Sequence, residues 1–387
     1  MPIEPRIAIL GAGPTGLEAA LAAAERGLPF TLYDAAPQVA GHVRAWGHVR
    51  VFTPWDMNVS PRMRAVLGAD APAGDDLPTG DELADRLYEP LAASPQIRDR
   101  LSLGTRVRGV SRDGLLKHDE IGTGRRAEKP FRLLVERDGE EHVERADVVL
   151  DCTGTYSNPN ALGDGGIPAP GERRAADAGR IDYHLRADLE PLAGKRVLLT
   201  GAGHSAQTAA RDLADFGDAE VTWLTRDPHP DWGAVQDDPL PARAGLNGAA
   251  KEIAAGRANI ELRPGRVVEA IGERGGCLAV TLRNGTAEEL EVDHVLALNG
   301  GVGDFTLYRQ LQVHECYATA GPMKLAAVLL ASSGADCLAM PATGPESLTN
   351  PEPGFFILGA KSYGRNSQFL LSVGWSQVDD VFGALLP

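Results

Sequence analysis

Two segments of the chain repeat one pattern, in which a run of apolar residues breaks into Gly-Ala-Gly and continues as a helix-like segment. Residues 7–18 read "IAILGAGPTGLE", and residues 197–208 read "VLLTGAGHSAQT". An apolar run, a glycine turn and an alanine-rich segment in this order predict a strand followed by a helix. Because the pattern occurs twice, it predicts two β-α-β units in one chain.

The repeat extends well beyond the glycine turns. Each turn is followed by a helical segment, a strand-like run ("PFTLYD" or "AEVTWLTR"), several short β-rich runs and a closing apolar run. The C-terminal block, which begins with "PGFFILGAKSYGR", is predicted to return to the first domain. The sequence therefore predicts an α/β fold with two Rossmann-like dinucleotide-binding domains, the second inserted in the first, each with a β-meander. The predicted boundaries are 1–165 with 300–387 for the first domain, 166–184 for a linker and 185–299 for the inserted domain.

The first glycine turn has the residues of a dinucleotide site. Three glycines fit the G-x-G-x-x-G pattern, which allows a tight turn, a close approach of pyrophosphate to the backbone, and close packing of helix on strand. An aspartate ends the next strand-like run, where a carboxylate binds a ribose diol. The predicted contacts are Gly11, Gly13, Pro14, Thr15, Gly16 and Asp34.

The second glycine turn differs from the first at its third small residue and at the end of the next strand. An alanine replaces the third glycine, and Arg226 stands where the first site has its aspartate. Arginine accommodates the 2′-phosphate of NADPH. The alternative is that Arg226 is a solvated charge and that Asp227 binds the ribose. The predicted contacts are Gly201, Gly203, His204, Ser205, Ala206 and Arg226. For His204 and Ser205, the alternative is that they only cap the helix.

Two unlike dinucleotide sites predict that one dinucleotide is held permanently, that the other visits, and that a hydride passes between them. Hydride transfer between two nicotinamide cofactors would serve no purpose, so the permanent dinucleotide is predicted to be FAD, at the first site. NADPH is predicted at the second site.

The chain resembles the two-dinucleotide-binding-domain flavoproteins, and within them the flavin-containing monooxygenase-like group of the CzcO type. The segments that carry the resemblance are "GAGPTG", "ADVVLDCTGTYSNPN", "GAGHSA" and "PEPGFFILGAKSYGR". The resemblance implies FAD contacts at Thr153, Gly154 and Gly359. Two features depart from the family pattern: Ala360 replaces the acidic residue that usually follows the last glycine, and "AGRIDYHLRADL" keeps only Gly179 and His184 of the monooxygenase fingerprint, at altered spacing.

Two further segments hold candidates for contact with the flavin. The resemblance places "AWGHVRVFTPWDMNVSP" near the isoalloxazine ring, which predicts contacts from Trp46, Pro54, Trp55 and Asn58. A cation or a helix N-terminus in "KSYGRNSQ" would favour reduced flavin, which predicts roles for Lys361, Ser362, Tyr363, Arg365 and Gln368. The catalytic candidates are Asn58, Lys361 and Tyr363. The alternatives are that the aromatic residues belong to the core and that the basic loop is an ordinary one.

The composition of the chain restricts the classes of partner that we expect it to bind. The formal net charge of −15 disfavours nucleic acid and anionic membrane surfaces and favours a small-molecule substrate. Cys152, Cys277, Cys316 and Cys337 form no C-x-x-C, so we expect neither a zinc site nor a disulfide scaffold, and no metal is predicted. This use of cysteine fits a reducing, cytoplasmic location. The chain begins almost directly with the strand-like "RIAIL", so we expect no secretory signal. A homodimer is left open.

The resemblance implies a single-component monooxygenase that takes hydride from NADPH and transfers oxygen from O2 to a small soft nucleophile through a C4a-peroxyflavin. An NADPH-dependent flavin reductase or oxidase of a small thiol or disulfide is the alternative enzyme. A flavin-based redox sensor without catalysis is the alternative from another class.

Overall fold

The computed structural model describes residues 4–235, 238–256, 259–283, 288–331 and 344–385. The chain forms two compact units. The first consists of Met1–Asn158 with Val302–Pro387, and the second of Pro159–Gly301. The second unit is therefore an insertion in the sequence of the first.

The strands are, in chain order, β1 (Ile7–Leu10), β2 (Phe30–Tyr33), β3 (Leu101–Ser102), β4 (Thr105–Arg112), β5 (Phe131–Arg137), β6 (Glu140–Ala146), β7 (Val148–Asp151), β8 (Ile181–Asp182), β9 (Lys195–Thr200), β10 (Ala219–Thr225), β11 (Ile260–Pro264), β12 (Val267–Arg274), β13 (Cys277–Arg283), β14 (Glu288–Val292), β15 (His294–Ala297) and β16 (Phe355–Ile357).

The α-helices are, in chain order, α1 (Pro14–Glu25), α2 (Gly41–Ala45), α3 (Trp55–Asn58), α4 (Pro61–Leu67), α5 (Gly80–Leu83), α6 (Glu89–Ala93), α7 (Glu172–Asp177), α8 (His204–Phe216), α9 (Pro241–Ala254), α10 (Met323–Ala331), α11 (Pro345–Leu348) and α12 (Leu371–Leu385).

The first unit contains a parallel sheet with the strand order β16-β7-β1-β2-β3. Strands β1 and β7 are short, apolar runs except for the last residue of β7, as is usual for parallel strands that are buried on both faces. In the strand register Leu10 lies beside both Tyr33 and Asp151, so β1, β2 and β7 end together at one edge. Ligands of such sheets bind at this carboxyl edge.

The second unit repeats this architecture with the strand order β11-β10-β9-β15-β8, again parallel. Each unit also has an antiparallel three-stranded meander, β4-β5-β6 in the first and β12-β13-β14 in the second. The α/β fold class with two Rossmann-like sheets is thus confirmed.

One edge strand of each sheet has a different origin in the two units. In the first unit it is β16, so the C-terminal block pairs with β7. In the second unit it is β8, which lies in the stretch 166–184 that the sequence analysis predicts to be a linker. That stretch contains α7 and β8 and belongs to the second unit. A two-residue strand has no periodicity to reveal it.

The core of the first unit lies on both faces of its sheet. On one face α1 and α12 pack side by side, with Leu17 and Leu21 in the same buried cluster as Val378 and Phe382. The other face is covered by the meander. Within the described ranges, no helix has the length and apolar character needed to cross a membrane.

Candidate functional site

The first glycine turn lies between the carboxyl end of β1 and the start of α1. Gly11 has φ +99°, and a Cβ there would lie 2.7 Å from the backbone oxygen of Cys152, so only glycine fits. A Cβ on Gly16 would lie 1.8 Å from the oxygen of Gly11, so this glycine lets α1 pack closely on the turn. A Cβ on Gly13 would meet no atom within 4 Å. The turn therefore leaves open space at the N-terminus of α1, which is suited to a phosphate.

Asp34 follows β2 and braces this turn. Its Oδ2 accepts the N–H of Ala12 at 2.6 Å, and its Oδ1 accepts the N–H of Ala36 at 2.8 Å. A carboxylate has about four lone-pair sites, so two remain for the hydroxyls of a ribose. Asp34 thus has a structural contact in addition to the ribose contact that the sequence predicts.

Pro14 and Thr15 begin α1, with Pro14 in the first turn, where it needs no N–H. The Thr15 side chain is buried against two glycines of the C-terminal segment. A Cβ on Gly359 would lie 2.8 Å from Thr15 Oγ1, and one on Gly374 would lie 3.0 Å from it. Thr15 therefore packs α1 against that segment.

The turn after β16, Gly359–Tyr363, is fixed to α12 by a ring of hydrogen bonds. The Gly359 N–H donates to Gln377 Oε1 at 2.8 Å, Gln377 Nε2 donates to Ser362 Oγ at 2.9 Å, and Ser362 Oγ donates to the Gly359 oxygen at 2.7 Å. The hydroxyl of Ser362 is thus used within the protein.

Lys361 lies in this turn and forms a buried ion pair with Asp151, the last residue of β7. The Nζ to Oδ2 distance is 2.6 Å, and both side chains are 0% exposed. The ammonium also donates to Thr153 Oγ1 at 3.1 Å and to the Asp304 oxygen at 2.7 Å. These acceptors occupy all three N–H bonds. Contrary to the prediction, Lys361 is not a free cation, because Asp151 neutralises its charge. Its three N–H bonds are used within the protein, which leaves none for the predicted catalytic role.

Thr153 and Gly154 follow β7. The hydroxyl of Thr153 donates to Asp151 Oδ1 at 2.7 Å and accepts from Lys361, so its proton is not available to a ligand. Gly154 has φ +71°, and a Cβ there would meet no atom within 4 Å. The backbone at Gly154 therefore leaves room for a close approach.

Asn58, another catalytic candidate, is buried and stabilises the turn that precedes α3. Its Nδ2 donates to the oxygens of Thr53 and Pro54, both at 2.8 Å, and its Oδ1 accepts from Thr53 Oγ1 at 2.9 Å. These contacts occupy both N–H donors of the amide and one of the two lone pairs of its oxygen. The local hydrogen bonds explain this asparagine as a structural residue, contrary to the catalytic prediction.

The aromatic residues near it belong to the packing of the first unit. Trp55 is 3% exposed, and the guanidinium of Arg86 lies 4.9 Å from its ring centroid. Trp46 follows α2 and packs against Gly80, where a Cβ would lie 2.7 Å from the indole ring. Pro54 precedes α3 at its N-terminus. The alternative that these aromatics are core residues therefore holds for Trp55.

The remaining residues of "KSYGRNSQ" differ in exposure. Tyr363, the third catalytic candidate, is 2% exposed and packs edge-on against Phe369, with ring centroids 5.3 Å apart. Arg365 and Gln368 are exposed. Within the described part of the chain, the guanidinium of Arg365 has no hydrogen bond or ion pair. Of the two cations in this segment, Arg365 is the one whose charge is not neutralised there.

The second glycine turn repeats the geometry of the first. Gly201 has φ +112°, and a Cβ there would lie 2.3 Å from the oxygen of Leu298. Ala206 is fully buried, with its Cβ 3.3 Å from the position of a Cβ on Gly201. A Cβ on Gly203 would meet no atom within 4 Å, so open space again lies before a helix, here α8.

Arg226 directly follows β10 and is exposed, and its guanidinium has no ion pair within the described residues. Asp227, the alternative ribose ligand, accepts the N–H of His229 at 2.8 Å. Asp227 thus has a local role in the turn, while Arg226 extends into solvent beside the end of the sheet. Both residues therefore remain available to a ligand: Arg226 to a 2′-phosphate, and Asp227, which keeps unused lone pairs, to a ribose.

His204 and Ser205 occupy the first turn of α8. Burial lowers the pKa of His204, so its ring is neutral at neutral pH. Ser205 is exposed. The positive end of α8 that faces the open space therefore comes from backbone N–H groups and not from an imidazolium ion.

The described cysteines do not form a pair. Burial raises the pKa of the Cys152 thiol, which keeps it protonated. Cys277 lies in the second unit and Cys316 in the first, and both are free. Cys337 lies outside the described residues. Among the described residues there is also no cluster of three or more His, Cys, Asp or Glu side chains that could hold a metal.

The sequence profile of the pyridine nucleotide-disulphide oxidoreductases matches residues 5–316. The ferredoxin–NADP reductase of Thermus thermophilus is 27% identical over 296 residues, which are 76% of this chain and 72% of that protein. The match to the family profile therefore includes both glycine turns.

Solved structures share the fold over nearly the whole chain. The bacillithiol disulfide reductase Bdr (YpdA) from Bacillus cereus has a TM-score of 0.73 and 18% identity, with 99% of this chain and 98% of that chain covered. The ornithine N-hydroxylase of Kutzneria sp. 744 has a TM-score of 0.63 and 15% identity, with 99% of each chain covered. At these identities the likeness is one of fold.

Proposed function

The chain belongs to the pyridine nucleotide-disulphide oxidoreductase family and is an oxidoreductase that uses FAD and NADPH, and we propose that it is a single-component monooxygenase in which the flavin reacts directly with O2. FAD is assigned to the first glycine turn and NADPH to the second. The finer resemblance to CzcO-type flavoproteins is part of this proposal. Overall, NADPH, a proton, O2 and a soft nucleophile would yield NADP+, water and the oxygenated product.

The observation that supports a direct reaction of the flavin is the lack of a protein redox relay among the described residues. An internal dithiol needs two neighbouring cysteines, and Cys152 and Cys316 in the first unit are separate free thiols. The polar side chains predicted to be catalytic are engaged elsewhere, since Asn58 stabilises a turn and Lys361 is paired with Asp151. Chemistry at this edge therefore falls to the cofactor, which supplies hydride and oxygen chemistry when bound.

The chain itself would bind and orient the cofactors. The open space before α1 and the carboxylate of Asp34 would hold a pyrophosphate and a ribose, as the open space before α8 and Arg226 would for NADPH. Arg365 would provide the cation that favours reduced flavin. In this proposal the buried side chains around Lys361 exclude water from the carboxyl edge of the first sheet.

The test is the reaction of the NADPH-reduced protein with oxygen. We expect that stopped-flow mixing with O2 yields a transient absorbance distinct from reduced and oxidised flavin. Dimethyl sulfide or a trivalent organoarsenical should then be oxygenated in proportion to the NADPH consumed. Catalase and a peroxide assay control for uncoupled release of hydrogen peroxide. Stoichiometric peroxide with every nucleophile, and no transient, would exclude the monooxygenase.

A second candidate is a reductase that passes electrons from the flavin to an external acceptor. It is favoured by the relative from Thermus thermophilus, which is named a ferredoxin–NADP reductase and matches 76% of this chain. Anaerobic turnover of NADPH with a small disulfide or a ferredoxin would support it. The same turnover without any acceptor is the control. A flavin-based sensor would show neither turnover nor oxygenation.

A further inference from the structure

The Asp151–Lys361 pair occupies an unusual place in the first unit. Asp151 ends the otherwise apolar strand β7, and its neighbours in the register are Leu10 on β1 and Ile357 on β16. Both charges are fully buried at the carboxyl edge of the sheet. Removing an ion pair from water costs free energy that its own attraction often does not recover. A buried pair is thus weak evidence for a gain in stability, and its place at the edge where ligands of such sheets bind points to a role there.

The second unit shows that the fold does not need this pair. Asp151 lies beside Leu10, which precedes the first glycine turn, and Ala297 lies beside Thr200, which precedes the second. The equivalent position is thus an alanine in the second unit, also buried, at 1% exposure. The pair is therefore a feature of the first unit alone, the unit to which FAD is assigned.

Lys361 connects the segments that border the carboxyl edge. Through its three N–H bonds it joins the turn Gly359–Tyr363 to Asp151, to Thr153 and to the oxygen of Asp304. Its stem crosses Gly303, where a Cβ would lie 2.4 Å from Lys361 Cγ. One side chain thereby fixes three separate stretches of backbone.

We propose that the buried Asp151–Lys361 pair is a positioning device that orients the backbone of Thr153–Gly154 and of Gly359–Tyr363 for FAD. Ala360 leaves this chain without a carboxylate directly after Gly359. The contacts to FAD at this edge then depend on backbone groups, whose orientation Lys361 fixes. The proposal rests on FAD binding at the first turn and does not depend on what the flavin reacts with.

The main test compares Lys361→Met with the double variant Asp151→Ala/Lys361→Met. The single variant leaves Asp151 buried without its partner, so we expect loss of both stability and FAD affinity. The double variant reproduces the situation of Ala297, so we expect stability in urea to return toward that of the native protein. Its FAD dissociation constant should still be raised about ten- to a hundredfold, the loss seen when outer-shell partners are removed at metal sites.

Gly303→Ala tests the same idea without removing a charge. Its methyl group would force the buried stem of Lys361 to shift, so we expect weaker FAD binding and an altered visible spectrum of the bound flavin, together with a moderate loss of stability in urea. This variant also decides the question if the double variant does not fold. Flavin fluorescence measures the dissociation constant without turnover, so a failure of the monooxygenase proposal does not affect the result.

The control is another buried ion pair in the same unit. Glu352 accepts from Arg112 at 2.6 Å and precedes β16, at the opposite end of the sheet from Asp151. Glu352→Gln should lower stability without changing the FAD dissociation constant. The proposal is overturned if the double variant or Gly303→Ala binds FAD within about twofold of the native protein, or if Glu352→Gln weakens FAD binding as much as they do.

Discussion

The two glycine turns have the same backbone geometry and different side chains around it. In both, the first glycine has a positive φ and lies against the strand that ends beside it, and the second leaves open space before a helix. The third small residue is Gly16 in one turn and Ala206 in the other. The charge after the next strand is Asp34 in one and Arg226 in the other. The two turns thus share their backbone geometry, and in the proposed function the side chains around them select the dinucleotide.

The difference at the third residue follows from distance. A Cβ on Gly16 would overlap the oxygen of Gly11 at 1.8 Å, whereas Ala206 has its Cβ beside Gly201 without a clash. Helix α1 is therefore packed more tightly on its turn than α8 is.

Exchanging the third residues should have the largest effect. Gly16→Ala forces its methyl group into backbone, which we expect to cost about 3 kcal/mol or more and to give a protein that retains no FAD. The matched change Ala206→Gly should cost only about 1 kcal/mol, the difference in helix propensity. The flavin-to-protein ratio and urea unfolding measure both. Full FAD retention by Gly16→Ala would contradict the close packing of α1.

The charges at the strand ends should have the next largest effects. Asp34→Ala removes a charged acceptor of ribose hydroxyls and the brace of Ala12, so FAD affinity should fall by about 1.5–3 kcal/mol. NADPH affinity should not change. Titration of the apo-protein with FAD, followed by flavin fluorescence, gives the value. A change below about twofold in the FAD dissociation constant would show that Asp34 only supports the turn.

Arg226→Ala is the counterpart in the second unit. Loss of a guanidinium–phosphate pair should weaken NADPH binding by about 2 kcal/mol, or about thirtyfold, and leave NADH unaffected. Rates of anaerobic flavin reduction with each nucleotide measure the ratio. The control is Asp227→Ala, which should change neither nucleotide by more than a few-fold. Equal losses of NADPH and NADH in Asp227→Ala would establish the alternative ribose ligand.

The sequence predicts the fold class because the features that carry it are local and repeated. A strand, a glycine turn and a helix follow each other without interruption, so the motif itself predicts the tight turn at Gly11 and at Gly201. The short strand β8 is not predictable in this way, because its two residues become a strand only by pairing with β15.

The candidate site is predictable where a residue acts through its own position in a motif, and not where its partner is distant. Lys361 is recognisable as a cation near the cofactor edge, but its partner Asp151 is 210 positions away in the sequence. The one signal was a carboxylate at the end of the apolar run "VVLD". Asn58 likewise has a polar side chain whose hydrogen bonds depend on the fold of the turn before α3.

His204 should have the smallest effect, and it tests whether the second turn binds phosphate through backbone alone. Burial lowers the pKa of His204 below its ordinary value, so the ring is neutral at pH 7 and above. It gains charge only at a lower pH than an ordinary histidine does, and there an imidazolium ion would strengthen phosphate binding. His204→Gln should therefore change the NADP+ dissociation constant by less than about twofold at pH 8 and at pH 7. An affinity that rises from pH 8 to pH 7 in the native protein, and not in the variant, would place a charged histidine at the phosphate. In that case the second turn would differ from the first in its source of positive charge as well as in its selecting side chain.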